Sequence, residues 1–352
     1  MMRMGDILEN AAIDAWVRAF SRSPRQANAP HESDAELIEV EGLSDRYLAV
    51  TIDTVSEEVL LGIYRDPATI GWVTVMASFS DLAAVGADPV GLLVSASVPP
   101  TSGAPFAEAV ARGMEDACRS LGVFVLGGDS NSSEQASFTG AAVGTVPKND
   151  AMTRLGLAPG DSVFVTGPVG AGNALGLARL AGLPDDAFPE SGYRPRARLA
   201  AGRVLRGRVH ACMDTSDGLF TTLDQLMRLN GRGFLVECDW ERLVSADALA
   251  LCRRAGVPPW TMPAGPHGEF ELVFAAPESE AGALADALRV SGLTPVRVGL
   301  VQEREALTLA LPDGRRVDAD MARARNLVEE SAGDMTRYLD RFRGLGKEWG
   351  LE

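Results

Sequence analysis

The chain has 352 residues, 46% of them hydrophobic and 23% charged, which is typical of a globular protein with two domains of ordinary size. Its 48 acidic and 33 basic residues give a formal net charge of −15, which argues against nonspecific nucleic-acid binding. No apolar run approaches the ~20 residues that a membrane-spanning helix needs, so we predict a cytoplasmic protein with neither a membrane nor a nucleic acid as partner.

The first 150 residues predict a short extension followed by one domain. A helix and a loop are expected over residues 1–30, and a first domain over residues 31–150. The elements predicted for this domain are a strand over 46–52 that ends at Asp53, a helix over 72–86, a strand over 90–98, a helix over 106–121, a short buried strand over 123–126 and a strand over 137–146.

A turn-rich segment, residues 147–159, predicts a linker to a second domain over residues 151–311. Its predicted elements are strands over 161–166, 233–238, 271–276, 295–301 and 306–311, and helices over 172–182, 195–206, 219–229, 241–255 and 279–291. Strands and helices without strict alternation predict an α+β fold in both domains. Residues 312–352 are rich in Arg and Glu and predict a helical tail on the solvated surface.

Aspartates in turn-like contexts are the most informative feature of the sequence. They are Asp53, Asp81, Asp129, Asp214 and Asp217, several of which directly follow apolar runs. Hard cations such as Mg²⁺ take oxygen ligands and share them with substrate phosphates. The pattern therefore predicts an enzyme that uses a divalent metal and a nucleotide.

Each motif taken alone also has a structural explanation. Gly127-Gly128-Asp129 fits a phosphate-binding turn but is a common turn between strands. Ser216 or Asp217 is expected to cap the helix that starts at residue 219, which would also create an anion site. Asp81, in an apolar helix, is by itself best explained as a surface residue. The Gly-rich segment 167–172 lacks the Gly-Lys-Ser/Thr ending of a P-loop and predicts a turn.

Four motifs in a fixed order resemble those of a known superfamily. They are Ser80–Pro89 (SDLAAVGADP), Gly127-Gly128-Asp129, Asp214–Leu219 (DTSDGL) and Gly268–Leu272 (GEFEL). Over roughly residues 32–310 the chain resembles the aminoimidazole-ribonucleotide synthetase superfamily, and within it the thiamine-monophosphate kinase family. That resemblance implies a two-domain α+β fold, a homodimer joined through the N-terminal sheets, ATP and metal binding by the domain over 31–150, and several Mg²⁺ ions.

The resemblance also implies roles for individual residues. It makes metal ligands of Asp34, Thr51, Asp53, Asp81, Asp129, Asp214 and Asp217, with Asp129, Asp214 and Asp217 as the catalytic set. Nucleotide contacts are implied for Gly127, Gly128, Arg154 and Ser216, and substrate contacts for Glu57 and Glu269. In that scheme the enzyme passes the γ-phosphate of ATP directly to thiamine phosphate, and metal ions and positioning supply the rate.

The sequence departs from the family pattern mainly on the substrate side. Where the family has Gly-Asp-Asp-Ala, the chain has Glu32-Ser33-Asp34-Ala35, with one aspartate fewer. The family's Glu-Gly-x-His-Phe is Glu57-Glu58-Val59-Leu60-Leu61 here, so Leu60 replaces a histidine that contacts the substrate. Segment 268–272 is one acidic residue short, and an Arg/Glu-rich tail replaces the family's aromatic C-terminal ending.

Three functions follow as hypotheses. The first is an ATP- and Mg²⁺-dependent phosphotransferase acting on a small phosphate monoester such as thiamine phosphate. The second is a related biosynthetic enzyme that uses ATP to activate an amide or carbonyl oxygen. The third is a nucleotide-binding protein without catalysis, which the clustered carboxylates argue against because they repel one another unless a metal is bound.

Overall fold

The N-terminal part of the protein is built on a five-stranded sheet. The structure is a computed structural model that describes residues 2–331 and 334–351. Its first elements are α1 (Leu8–Ala19), β1 (Glu36–Ile38), β2 (Arg46–Thr54), α2 (Ser56–Leu60), α3 (Pro67–Ala84), β3 (Asp88–Val98), α4 (Gly103–Leu121), β4 (Val125–Ser132) and β5 (Ser137–Pro147). The strand order is β1-β2-β5-β3-β4, with only β3 and β4 parallel.

Helix α3 lies at the centre of the N-terminal part and is buried along nearly its whole length. Asp66 starts it by accepting a hydrogen bond from the Thr69 amide at 2.8 Å, and Pro67 fits the first turn. Helices α3 and α4 approach closely at two glycines. A Cβ on Gly71 would lie 2.0 Å from the Val110 carbonyl oxygen, so a larger residue there would separate the helices.

The C-terminal part forms a seven-stranded sheet in the order β12-β11-β8-β10-β6-β9-β7. Its strands are β6 (Ser162–Val165), β7 (Ala211–Asp214), β8 (Gly233–Glu237), β9 (Leu272–Ala276), β10 (Val296–Gln302), β11 (Leu307–Ala310) and β12 (Arg316–Ala319). Its helices are α5 (Ala171–Leu180), α6 (Leu199–Leu205), α7 (Leu219–Asn230), α8 (Trp240–Leu243), α9 (Ala246–Ala255), α10 (Thr261–Ala264), α11 (Glu278–Val290), α12 (Met321–Glu330) and α13 (Met335–Glu348). Two mixed sheets with packed helices confirm the predicted α+β class, and the domain boundaries stay a prediction.

The C-terminal tail differs from the solvated helix that was predicted for residues 312–352. Strand β12 pairs antiparallel with β11, and α13 buries Tyr338, Phe342 and Trp349. The Phe342 and Trp260 ring centroids lie 5.1 Å apart. These apolar residues recur at helical spacing, which the many Arg and Glu residues between them obscured.

Two further predictions fail for identifiable reasons. The buried strand over 123–126 is instead the start of β4, which is exposed along its length because it lies at the edge of the sheet. The single helix over 241–255 is divided into α8 and α9 at Val244, and Ser245 caps α9. Within residues 2–331 and 334–351, no helix combines the length and apolarity needed to cross a membrane.

Candidate active site

Three aspartates from separate elements meet between the two sheets. Asp34 precedes β1, Asp81 lies in α3 and Asp214 ends β7, and each offers a carboxylate oxygen within 4.8 Å of the others. We call these three residues the carboxylate cluster. Asp81 is not the surface residue that its helix alone suggested, because α3 is covered on all sides and the Thr51 hydroxyl donates a hydrogen bond to the Asp81 carboxylate.

Hydroxyl groups and one guanidinium hold the cluster in place. Asp214 accepts hydrogen bonds from Ser80 Oγ at 2.5 Å and from Ser216 Oγ at 3.0 Å. Arg154 Nη2 donates to Asp34 Oδ1 at 2.9 Å, and the Asp34 side chain is only 1% exposed. Two of these partners, Arg154 and Ser216, were predicted as nucleotide contacts, and the structure places both against the cluster.

The cluster carries more negative charge than its surroundings balance. Burial raises the pKa of Asp214 to about 7, with the charge on Asp34 adding to the effect and the hydrogen bonds from Ser80 and Ser216 opposing it. Burial and the neighbouring carboxylates also raise the pKa of Asp81 well above its usual range. Such mutual repulsion is relieved when a divalent cation binds between the oxygens.

Asp53 and Asp217 lie beside the cluster. Burial raises the pKa of Asp53 to about 6, with a contribution from Asp217. The pKa of Asp217 is also raised to about 6, first by burial and then by Glu9, while Arg325, 3.9 Å away, opposes the shift. The Asp217 side chain is 47% exposed, so solvent screens part of this shift, and the carboxylate faces an open space that a ligand can enter.

The predicted helix cap at residues 216 and 217 is wrong. Gly218 occupies the N-cap position of α7, and no side chain caps that helix. Ser216 instead turns its hydroxyl toward Asp214, and Thr222 Oγ1 donates to the Asp214 carbonyl at 2.9 Å. The hydroxyl groups of this segment thus hydrogen-bond to Asp214 of the cluster, and the segment does not cap α7 with a side chain.

Gly127, Gly128 and Asp129 lie within β4 rather than in a turn after it. Asp129 is exposed and accepts a hydrogen bond from Asn131 at 2.8 Å. Three strand spacings separate β4 from β2, which carries Asp53, a distance of roughly 14 Å. Within the described residues, Asp129 is not among the carboxylates that meet in the cluster. Gly128 has a packing role, since a Cβ there would lie 2.0 Å from the Val94 carbonyl oxygen.

The two predicted substrate residues have different surroundings. Glu57 is exposed on α2 and faces a cavity. Glu269 is buried and accepts the amides of Gly170 at 2.8 Å and Gly172 at 3.3 Å, at the start of α5. Burial raises the pKa of Glu269 to about 8, against the effect of these hydrogen bonds. The Gly-rich segment 167–172 thus binds an internal carboxylate.

Two adjoining cavities open beside Asp53 and Asp217. The inner cavity, about 180 Å³, is lined by Asp53, Glu58, Tyr64, Asp217, His267 and Phe270 among others. The outer cavity, about 270 Å³, shares Glu58, Asp217 and His267 with it and adds residues that include Glu9, Glu57, Arg325 and Tyr338. Three of these cavity residues were not predicted from the sequence: Glu9, Glu58 and Arg325. Glu9 in α1 and Arg325 in α12 lie outside the four motifs, and the family pattern assigned the substrate contact to Glu57 rather than to Glu58.

Comparisons with known proteins identify relatives of this chain. Residues 32–146 match the family described as "AIR synthase related protein, N-terminal domain". The thiamine-monophosphate kinase of Halobacterium salinarum is 35% identical over 272 residues, covering 77% of this chain and 88% of the relative. The relative supports the predicted resemblance and the ATP-dependent kinase class.

Solved structures share the fold. The thiamine-monophosphate kinase of Stenotrophomonas maltophilia K279a is 26% identical, with a TM-score of 0.67 over 87% of this chain and 96% of that chain. AaThiL, complexed with AMPPCP and TMP, has a TM-score of 0.71 at 23% identity, covering 90% of this chain and 96% of that chain. The second likeness shows the fold alone.

Proposed function

The chain belongs to the thiamine-monophosphate kinase family, and we propose that it transfers the γ-phosphoryl group of ATP to the phosphate of thiamine phosphate. The observation that carries this proposal is the carboxylate cluster, which presents three acidic oxygens within 4.8 Å of one another beside two cavities. Phosphoryl transfer depends on positioning and charge stabilisation more than on covalent chemistry, and this arrangement suits both.

The donor set fits Mg²⁺. Its members are carboxylate oxygens, and Mg²⁺ prefers such hard oxygen ligands. Asp34, Asp81 and Asp214 would hold the metal, with Asp53 and Thr51 beside them. When bound, Mg²⁺ supplies positive charge that neutralises phosphate oxygens.

The chain's own side chains would orient the two reactants. Arg154 fixes Asp34 and lies on the nucleotide side of the cluster, and Ser216 fixes Asp214. Asp53 and Asp217 lie beside the cluster and also line the inner cavity. We therefore propose that the nucleotide phosphates bind at the cluster and that the acceptor binds in the inner cavity, with these two aspartates between them. The acceptor phosphate would then point from the cavity toward the cluster.

A homodimer would complete the site with Asp129. Strand β4 at the edge of the N-terminal sheet and its neighbour β3 expose large apolar side chains, among them Leu93, Phe124 and Leu126, and Phe124 is 74% exposed. Apolar edges of this kind are normally covered by another chain. We place the second copy there, with its Asp129 serving the cluster of the first copy.

The four free, buried cysteines fit a location in the reducing cytoplasm.

The deciding experiment measures ADP release from ATP and Mg²⁺ with and without thiamine phosphate, and detects thiamine diphosphate by chromatography. Formation of the diphosphate that depends on thiamine phosphate is the expected result. ADP release only with an amide-bearing acceptor would instead favour the oxygen-activating enzyme. Nucleotide binding without any ADP release would favour a protein without catalysis.

A further inference from the structure

Glu58 stands in the wall that the inner and outer cavities share. It lies in α2, five residues after Asp53, and faces both cavities. Its position puts an acidic side chain at the point where the acceptor would pass from the outer to the inner cavity. Burial raises the pKa of Glu58 to about 7, and a cationic ligand beside it would favour the carboxylate form.

The two cavities have little positive charge to balance their carboxylates. Their walls include the acidic residues Glu9, Asp53, Glu57, Glu58, Asp217 and Glu329. Among the wall residues that the structure describes, Arg325 is the one permanent cation, and it already donates to Glu9 at 2.8 Å and to Gln225 at 2.9 Å. Burial lowers the pKa of His267 to about 4, so this residue adds no charge at neutral pH.

One carboxylate oxygen of Glu58 lacks a partner within the described part of the chain. This atom, Oε2, is shielded from solvent. A buried carboxylate without a partner is unfavourable, and a cationic group beside it would offset that cost.

Aromatic rings complete the same wall. Tyr64 and Phe270 line the inner cavity with Glu58, and Tyr64 stacks on Tyr193 with ring centroids 5.8 Å apart. Aromatic faces attract cations, most strongly where water is excluded. Phe270 has a positive φ of 60°, an uncommon backbone conformation for a bulky residue, and its ring is held at this wall.

We propose that Glu58 determines acceptor specificity by binding the positively charged ring of the acceptor, a heteroaromatic or quaternary ammonium cation, between its carboxylate and the rings of Tyr64 and Phe270. This proposal rests on the proposed function, since it assigns the cavities to the acceptor. In this proposal Glu58 selects a positively charged acceptor, and the carboxylate cluster catalyses the phosphoryl transfer.

The test uses the full chain with Glu58→Gln, which keeps the shape of the side chain and removes its charge. Glu108→Gln is the matched control, because Glu108 is an exposed glutamate of α4 that lines neither cavity. For Glu58→Gln we expect KM for thiamine phosphate to rise at least about tenfold, with kcat within about twofold of wild type. ATP affinity and the thermal unfolding midpoint should stay close to wild type. Equal KM values in both variants would overturn the proposal.

Calorimetry with thiamine separates this proposal from the kinase activity, because thiamine carries the cation without the phosphate and binding needs no turnover. We expect wild type and Glu108→Gln to bind it alike, and Glu58→Gln to bind it about tenfold more weakly. If the protein makes no thiamine diphosphate but shows this difference, the proposed function fails and the role of Glu58 stands. No thiamine binding to wild type, or equal affinity in Glu58→Gln, would overturn that role.

Discussion

The carboxylate cluster and the acceptor cavities are adjoining parts of one site, yet they are built in different ways. The cluster is supplied by α3, β7 and the segment before β1, and hydroxyl groups and Arg154 fix its side chains. The outer cavity is walled by residues of α1, α2 and α12, whereas the inner cavity is also lined by Val73 and Ala77 of α3. The cluster and the inner cavity thus depend on the core helix α3, and the outer cavity depends on helices outside the two sheets.

Loss of a cluster carboxylate should have the largest effect. Asp214→Asn is expected to lower kcat by about 10³-fold or more, because it removes about 4 kcal/mol or more of charge stabilisation. Steady-state ADP release measures this loss. Asp318→Asn, a surface carboxylate in β12, is the control and should keep wild-type activity. Wild-type turnover in Asp214→Asn would rule out the cluster as the catalytic centre.

Asp129 tests whether the cluster is complete within one chain. Asp129→Asn and Asp214→Asn should each be inactive as homodimers. In a heterodimer of the two variants, purified with two different tags, one of the two sites would have both aspartates intact if Asp129 acts from the second copy. We therefore expect about half of wild-type activity. An inactive heterodimer would place Asp129 and Asp214 in the same chain's site, and an active Asp129→Asn homodimer would remove Asp129 from the mechanism.

Loss of packing in the C-terminal helix α13 should weaken acceptor binding in the cavities. Phe342→Ala removes a ring of α13 that packs on Trp260. Phe342 also stacks on Tyr338, which lines the outer cavity. We expect a loss of about 3 kcal/mol in the free energy of unfolding and a higher KM for the acceptor, with Mg²⁺ affinity unchanged. Urea denaturation and steady-state kinetics measure these quantities. Asp340 is an exposed residue of the same helix, so Asp340→Ala should change neither the free energy of unfolding nor the KM for the acceptor.

The smallest expected effect is a dependence of stability on pH. The pKa values of Asp214, Asp53 and Asp217 are raised from about 4 to about 7, 6 and 6. A carboxyl group with a raised pKa stabilises the fold below its ordinary pKa, and that contribution is lost as pH rises through the folded value. In EDTA the unfolding midpoint should therefore fall by a few degrees between pH 5 and pH 8.

Mg²⁺ provides the control for this measurement. At pH 8 the deprotonated cluster should bind the metal, so added Mg²⁺ should raise the midpoint, and at pH 5 it should raise it less. A midpoint in EDTA that rises over the same range, or that Mg²⁺ leaves unchanged at pH 8, would contradict the assignment of the cluster as a metal site.

The sequence predicted the cluster better than the cavities for a physical reason. Asp81 and Asp214 lie in contiguous motifs, because the backbone around them must keep one conformation. Glu58 and Arg325 act from different elements that only the fold brings together, so no local pattern predicts them. The run Val123–Leu126 looked buried because it is apolar, and Val123 is buried, but Phe124, Val125 and Leu126 are exposed at the edge of the sheet.

The contact between Glu9 and Arg325 links residues that are 316 positions apart in the chain. During synthesis, the two sheets have most of their strands before α12 leaves the ribosome, whereas the outer cavity still lacks a wall. Every residue of the carboxylate cluster is therefore synthesised before the helix that completes the wall of the outer cavity.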